Sequence, residues 1–179
     1  MPIRLTTPRL LIAPFLPTDA PALFTWASDP APTRYMGWPR HQTLADSEAV
    51  IRYFESVSAS QPPKYDRPLV LRDKATGRPL GSSGIHQAGE AAVELGWILR
   101  EDARRQGYAQ EAAEALLRYA MEELPWVKRV EARAHPENAT SIRLMKKLGM
   151  TELEGGEFPM PQLGGQKVWL VRYGISRER

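Results

Sequence analysis

Residues 93–124 constrain the fold most. Val93-Glu94-Leu95-Gly96-Trp97-Ile98-Leu99 reads as a strand and residues 110–124 read as a helix, with Arg104-Arg105-Gln106-Gly107-Tyr108-Ala109 as the turn between them. A chain that passes from strand to helix through a basic, glycine-containing turn leaves the first helical amides unpaired. The positive end of the helix dipole then lies over the turn. Such a turn is a cradle for an anion, and its small residues let a diphosphate approach the backbone. The plain alternative is a helix-initiating loop with solvated arginines.

The rest of the chain supplies the elements around this unit. Arg9-Leu10-Leu11-Ile12-Ala13-Pro14-Phe15 predicts a first strand, and Thr18 or Asp19 can cap a helix over residues 20–28. Pro30, Pro32, Gly37 and Pro39 make the next stretch a loop carrying Tyr35, Met36, Trp38 and His41. Val50, Ile51, Phe54 and Val57 form a helical stripe within residues 47–58, ended by Ser60-Gln61-Pro62-Pro63. Residues 68–72 and 80–87 read as strands joined by Asp73-Lys74-Ala75-Thr76-Gly77. After the basic turn, Ala113, Leu117, Ala120 and Leu124 keep helical spacing, and Pro125 stops the helix. Residues 129–134 alternate Val130, Ala132 and Ala134 with charged residues, a strand with one polar face. Residues 138–148 form a second amphipathic helix closed by Gly149. Residues 151–157 and 167–174 give two more strands around a Pro/Gly-rich loop. With no repeat and no linker, the order of elements predicts one α/β domain over residues 1–179 with a mixed sheet.

Composition removes several classes of chemistry. The 179 residues suit one domain, and 42% apolar with 25% charged residues is ordinary for a globular protein. The absence of cysteine excludes disulfides, zinc–thiolate sites and thiol nucleophiles, and suits a cytoplasmic protein. Met1-Pro2-Ile3-Arg4 is not followed by a signal-like apolar run, and no stretch approaches the roughly 20 apolar residues of a membrane span. The net charge of +3 is spread among acidic residues rather than gathered in a basic block, so neither a nucleic-acid nor a membrane partner is expected. No metal is expected either.

Two further segments narrow the reading: Glu94-Leu95-Gly96-Trp97-Ile98-Leu99 before the turn, and His135-Pro136-Glu137-Asn138-Ala139-Thr140-Ser141-Ile142-Arg143 followed by Lys147-Leu148-Gly149-Met150. With the turn, they resemble the GNAT (GCN-related N-acetyltransferase) superfamily, and more narrowly its RimJ/RimL-type branch (ribosomal-protein alanine N-acetyltransferase-like). Arg104-x-x-Gly107-x-Ala109 matches the superfamily's pyrophosphate loop, R/Q-x-x-G-x-G/A. Pro136-Glu137-Asn138-x-x-Ser141 with a Lys-Leu-Gly ending is typical of that branch. Thr7-Pro8-Arg9-Leu10-Leu11-Ile12 and Arg34-Tyr35-Met36-Gly37-Trp38-Pro39 also have close counterparts there, so the resemblance runs nearly the whole chain.

The resemblance implies the GNAT fold: a mixed, mostly antiparallel sheet of about seven strands, flanked by about four helices, with splayed central strands. It also implies acetyl-CoA as cosubstrate. The amides of Gln106, Gly107, Tyr108 and Ala109, with Arg104 and Arg105 nearby, are implied to hold the pyrophosphate. The main chain of Trp97, Ile98 and Leu99 is implied to pair with the pantetheine arm, satisfying backbone groups that the splay leaves open. Asn138 is implied to bond the same arm, and Ser141 to lie near the sulfur. Asn138 is equally an ordinary helix cap, and the two roles are compatible.

Without cysteine an acetyl-cysteine intermediate is impossible, so direct transfer to a primary amine is the simplest chemistry. Glu94 is the first choice of general base, directly or through a water, because strand alternation points it away from the Val93/Leu95/Trp97 side. The backbone near Ile98 would polarise the carbonyl, and Ser141 could donate to the departing sulfur. The wider superfamily often has a tyrosine four residues before the helix-ending glycine, where this chain has Met145. The resemblance also implies an alternative glutamate base after the last helix, for which Glu157 is the nearest candidate; solvent is the third option, and His86 and His41 are further candidates on the acceptor side. Tyr35 and Trp38 join them there, since aromatic rings with a carboxylate suit a cationic amine. The RimJ/RimL resemblance implies a protein N-terminus as acceptor, while related sequences acetylate small amines, amino acids and antibiotics. The reading from another class is a CoA-binding module without catalysis. Either form would be a monomer or a homodimer.

Overall fold

The computed structural model describes residues 2–58, 60–62 and 64–177. Its strands are β1 (Leu5–Thr6), β2 (Leu10–Pro14), β3 (Asp66–Asp73), β4 (Pro79–Gly89), β5 (Ala92–Leu99), β6 (Arg129–Ala134), β7 (Thr151–Met160) and β8 (Gln166–Ser176). The helices are α1 (Ala20–Ala27), α2 (Pro30–Thr33), α3 (Leu44–Val57), α4 (Tyr108–Glu123) and α5 (Ala139–Lys147). All eight strands join one sheet in the order β1-β2-β3-β4-β5-β6-β8-β7. Every neighbouring pair is antiparallel except β5 and β6, which run parallel.

Alternation along the strands divides the core between the two faces. On β3, Leu69 and Leu71 pack with Val93, Leu95, Val130 and the α4 and α5 side chains Leu116 and Met145. Val70, between them, joins Phe15, Leu23, Trp26, Ile51 and Ile98 under α1 and α3 on the other face. The helix α4 buries Ala112, Ala113, Leu116 and Ala120 as one stripe. Leu116 is fully enclosed, and burying such a side chain contributes about 1.5–3 kcal/mol. On the second face α1 lies against β4 and α3 against β3. Beyond them, the same face of β4, β5, β6, β8 and β7 forms a cleft whose lining includes three glutamates and two arginines.

The elements follow the sequence reading with four differences. The two-residue β1 is additional, closed onto β2 by Thr7 N–H donating to the Leu10 carbonyl. The proline-rich stretch holds the short helix α2, because Asp29 accepts the Ala31 amide as a cap and Pro30 suits the first helical position. Helix α4 starts at Tyr108, directly after Gly107. Strand β7 runs on through Pro159, which is tolerated because β7 is the edge of the sheet. Of the run expected to end α3, Pro63 lies outside the described residues; α3 closes at Val57, with the Ser58 amide on the Phe54 carbonyl. No helix among the described residues is long and apolar enough to cross a membrane.

Candidate active site

The turn between β5 and α4 is built around two left-handed residues, Arg105 at φ 62° and Gly107 at φ 83°. Gly107 precedes the helix without a side chain to cap it. The first bond of the helix is Glu111 N–H to the Gly107 carbonyl at 3.0 Å. The amides of Tyr108, Ala109 and Gln110 therefore have no intrahelical acceptor. Arg105 is exposed and has no ion pair among the described residues. Arg104, expected beside the same anion, is directed elsewhere. Its Nη2 lies 2.6 Å from Asp29 Oδ2 and its Nε donates to the Leu99 carbonyl at 3.0 Å, joining the end of β5 to the cap of α2. Burial pushes the Asp29 carboxyl up, but the Arg104 hydrogen bond, the Ala31 amide and the Arg104 charge outweigh it and hold it below the usual range.

The turn is clamped from the N-terminal strand, a feature that residue-by-residue reading did not reveal. Glu111 accepts from Thr7 Oγ1 at 2.6 Å, from Arg9 N–H at 2.8 Å and from Arg9 Nε at 2.6 Å. Arg9 Nη1 then donates to the Gln106 carbonyl at 2.8 Å, and its guanidinium lies 4.5 Å from the centre of the Tyr108 ring. Residues far apart in sequence thus hold both sides of Gly107. A smaller cleft of about 230 Å³ adjoins the turn at Gln106 and Tyr108.

The gap expected between the central strands is present. The parallel pairing of β5 with β6 covers Ala92↔Arg129, Val93↔Val130 and Glu94↔Glu131, and ends there. Past Glu94, β5 pairs only with β4, and past Glu131, β6 pairs only with β8. The β6-facing edge of residues 95–99 is therefore open to an extended ligand. Trp97 Nε1 donates to Ser141 Oγ at 3.3 Å, joining β5 to α5. Asn138 caps α5, its Oδ1 accepting the Ser141 amide at 3.2 Å, and among the described residues its Nδ2 has no hydrogen-bond partner. Tyr35 stacks on His135, just past the end of β6, at a centroid distance of 5.2 Å. Met145 is fully buried in the core.

The cleft on the second face has a volume of about 510 Å³ and is lined by His86, Glu94, Glu131, Arg133, Phe158 and Arg172 among others. Glu94 points into it, as alternation predicts, with Oε2 2.5 Å from Arg133 Nε. Arg133 stacks over Phe158 at 4.1 Å and its buried Nε lacks an aligned hydrogen bond. Glu131, 2% exposed, is held by Arg129 Nε at 2.5 Å and Arg172 Nη1 at 3.4 Å. His86 reaches Asp66 Oδ1 through Nδ1 at 2.6 Å.

Three of the acceptor-side candidates lie elsewhere. His41 is 7% exposed, with Nδ1 2.8 Å from Ser47 Oγ and its amide on the Ala27 carbonyl, so it fastens the loop to α3 and α1. Burial pushes its pKa down against the opposing pull of Asp46. Glu157 is exposed and does not line the cleft; its strand neighbours Glu154 and Phe158 do. A register shift between Leu153 and Gly156 decides which glutamate turns inward, and composition gives no sign of it. Trp38 packs against the core under α1 and α3, 5.7 Å from the His41 ring. The basic members of the cleft were foreshadowed only by the polar face of residues 129–134.

Comparison with known proteins agrees with this geometry. The family model for the acetyltransferase (GNAT) domain matches residues 9–151. The uncharacterized N-acetyltransferase YnaD of Bacillus subtilis (strain 168) is 33% identical over 150 residues, covering 83% of this chain and 82% of YnaD. The crystal structure of a GNAT-family acetyltransferase from Bacillus anthracis superposes with a TM-score of 0.82 at 26% identity, covering 99% of this chain and 100% of that one. At 13% identity the fold alone is shared with a spermidine N-acetyltransferase from Vibrio cholerae solved with CoA and spermine, at a TM-score of 0.77 covering 96% and 97% of the two chains. A split sheet, an uncapped turn and a family match over most of the chain agree: this protein belongs to the acetyltransferase (GNAT) family and is an acetyltransferase.

Proposed function

We propose that the chain takes acetyl-CoA and moves its acetyl group directly to a primary amine. The observation that carries this reading is the pairing of two open backbone surfaces, the amides after Gly107 and the unpaired edge of β5. In this reading the amides of residues 106–109, with Arg105, bind the pyrophosphate. The main chain of Trp97, Ile98 and Leu99 takes the pantetheine arm, Asn138 Nδ2 bonds it, and the Ser141 hydroxyl donates to the sulfur. The Arg104 side chain, engaged by Asp29, takes no part.

The acceptor enters through the cleft on the other face, where Glu94 draws in the ammonium group; Tyr35, against His135 past the end of β6, is the aromatic group proposed to meet the acceptor. The N-terminal and Pro136-Glu137-Asn138 motifs support the RimJ/RimL-type reading, a protein N-terminus as acceptor. The cleft supports a second reading: at about 510 Å³ it has the size of a small-molecule site. A single domain working in the cytoplasm, as monomer or homodimer, fits either reading.

A screen for thiol release from acetyl-CoA, across peptide N-termini, polyamines, amino acids and aminoglycosides, tests the proposal. Release with at least one amine class is expected. Glu94→Gln should then lower turnover by about tenfold or more while leaving CoA affinity nearly unchanged. CoA binding without release for any amine would favour the non-catalytic module.

A further inference from the structure

We propose that His86, held by Asp66, is the group that takes the proton from the acceptor amine, with Glu94 supplying charge rather than basicity. The proposal rests on the acetyltransferase reading above and adds a residue role to it. His86 and Glu94 are directly opposed on β4 and β5, and Asp66 opposes His86 from β3, so all three stand in one row across the sheet. The row ends where β6 leaves β5, since Glu94↔Glu131 is the last paired position.

The imidazole is oriented by two contacts. Nδ1 meets Asp66 Oδ1 at 2.6 Å. A carboxylate there accepts the Nδ1 proton and leaves the Nε2 lone pair free. The Nε2 edge of the ring lies over Gly84: a Cβ at that glycine would fall 2.6 Å from Nε2 and 2.9 Å from Cε1. Gly84 is paired with Gly96, and a Cβ at Gly96 would meet nothing within 4 Å. The two facing glycines make an open floor beside Nε2, on the face that carries Glu94, two residues past the last β5–β6 pair. Among the described residues Nε2 has no hydrogen-bond partner.

Glu94 is differently placed. One carboxylate oxygen is already in contact with Arg133, which is itself stacked on Phe158. Asp66 from β3 and Glu94 from β5 flank the imidazole; past Glu94 the cleft carries Glu131 and Arg133 from β6, Glu154 from β7 and Arg172 from β8. An ammonium between His86 and Glu94 is attracted by the carboxylates; the Glu94 carboxylate is shared with the Arg133 guanidinium, whereas the Nε2 lone pair is not shared with any cation.

The step balances as follows. The ammonium gives one proton to Nε2, and the neutral nitrogen forms the C–N bond to the acetyl carbon as the C–S bond breaks. The departing thiolate takes the second nitrogen proton, and His86 returns its proton to solvent.

The test compares wild type, His86→Ala and Asp66→Asn with an amine that the wild type acetylates. His86→Ala should lower kcat by about 10²–10⁴-fold. Its affinity for CoA by calorimetry should stay within about twofold, and added imidazole should restore part of the rate. Asp66→Asn should lower kcat less, since Nε2 remains. Full activity in His86→Ala, or a loss matched by lost CoA binding and not rescued by imidazole, would overturn the assignment. A wild type that binds CoA but acetylates no amine would overturn the acetyltransferase reading and this one with it.

Discussion

Gly107→Val should fold and lose CoA. Gly107 sits at φ 83° and ψ 0°, where a β-branched residue is strained by about 1–3 kcal/mol. That is tolerable against the 5–15 kcal/mol that typically separates folded from unfolded domains. The added Cβ would also stand 3.2 Å from Arg9 Nη2, the guanidinium that holds the Gln106 carbonyl. Relief of either strain turns the amides of Gln106, Tyr108 and Ala109 out of register. Each hydrogen bond from an amide to a charged phosphate is worth about 1.5–3 kcal/mol. Losing one or two of them lowers affinity roughly 10²-fold or more. Calorimetric titration with CoA, beside a thermal melt, separates the two effects: a cooperative melt with binding gone is the expected pair. Retained affinity would remove the turn from the CoA site.

Glu111→Gln should have the next largest effect, on stability and binding together. The Glu111 carboxylate receives three donors from Thr7 and Arg9, and Arg9 in turn braces the turn. Arg9 is half-exposed, so its charge is partly screened, and the variant should lose about 1–3 kcal/mol in urea unfolding. CoA affinity should fall by about tenfold, less than for Gly107→Val, because the amides survive while their brace loosens. The pH dependence has a definite sign. Burial pushes the Glu111 carboxyl up, but the hydrogen bonds from Thr7 and Arg9 and the Arg9 charge outweigh it and hold it below the usual range. A carboxyl whose pKa is lower folded than unfolded stabilises the protein above its unfolded value, and that stabilisation is lost as pH falls through the folded value. The gap between wild type and Glu111→Gln should therefore narrow below about pH 4. A gap that stays constant across that range would mean that the carboxylate charge contributes nothing.

Much of this arrangement is legible in the sequence wherever local chemistry dictates it. Gly107 after a basic pair, Asn138 after Pro136, and the alternation that separates Glu94 from Val93 and Leu95 each follow from one residue's conformational preference or one strand's period. What was not legible depends on long-range register. Arg104 and Arg105 look interchangeable in the chain, yet Asp29, brought over by α2, captures the first and leaves the second exposed. Glu157 and Glu154 lie on one strand, and a register shift before Gly156 turns the other one inward. His41 and His86 are equally plain as isolated histidines. Only tertiary packing encloses one against Ser47 and sets the other beside Asp66 at the edge of a cleft. The clamp of Thr7 and Arg9 on Glu111 joins residues about a hundred positions apart, a distance no periodicity spans.

The central claim is that the Gly107 turn and the open edge of β5 form one binding surface for acetyl-CoA. The crystal structure of the chain with bound CoA tests it most directly. The expected result has phosphate oxygens within about 3.2 Å of the amides of residues 106–109 and the pantetheine hydrogen-bonded along residues 97–99. Arg104 should still be on Asp29 and Asn138 Nδ2 turned to the ligand. CoA seated elsewhere, or a β5 edge closed by β6 in the complex, would contradict it.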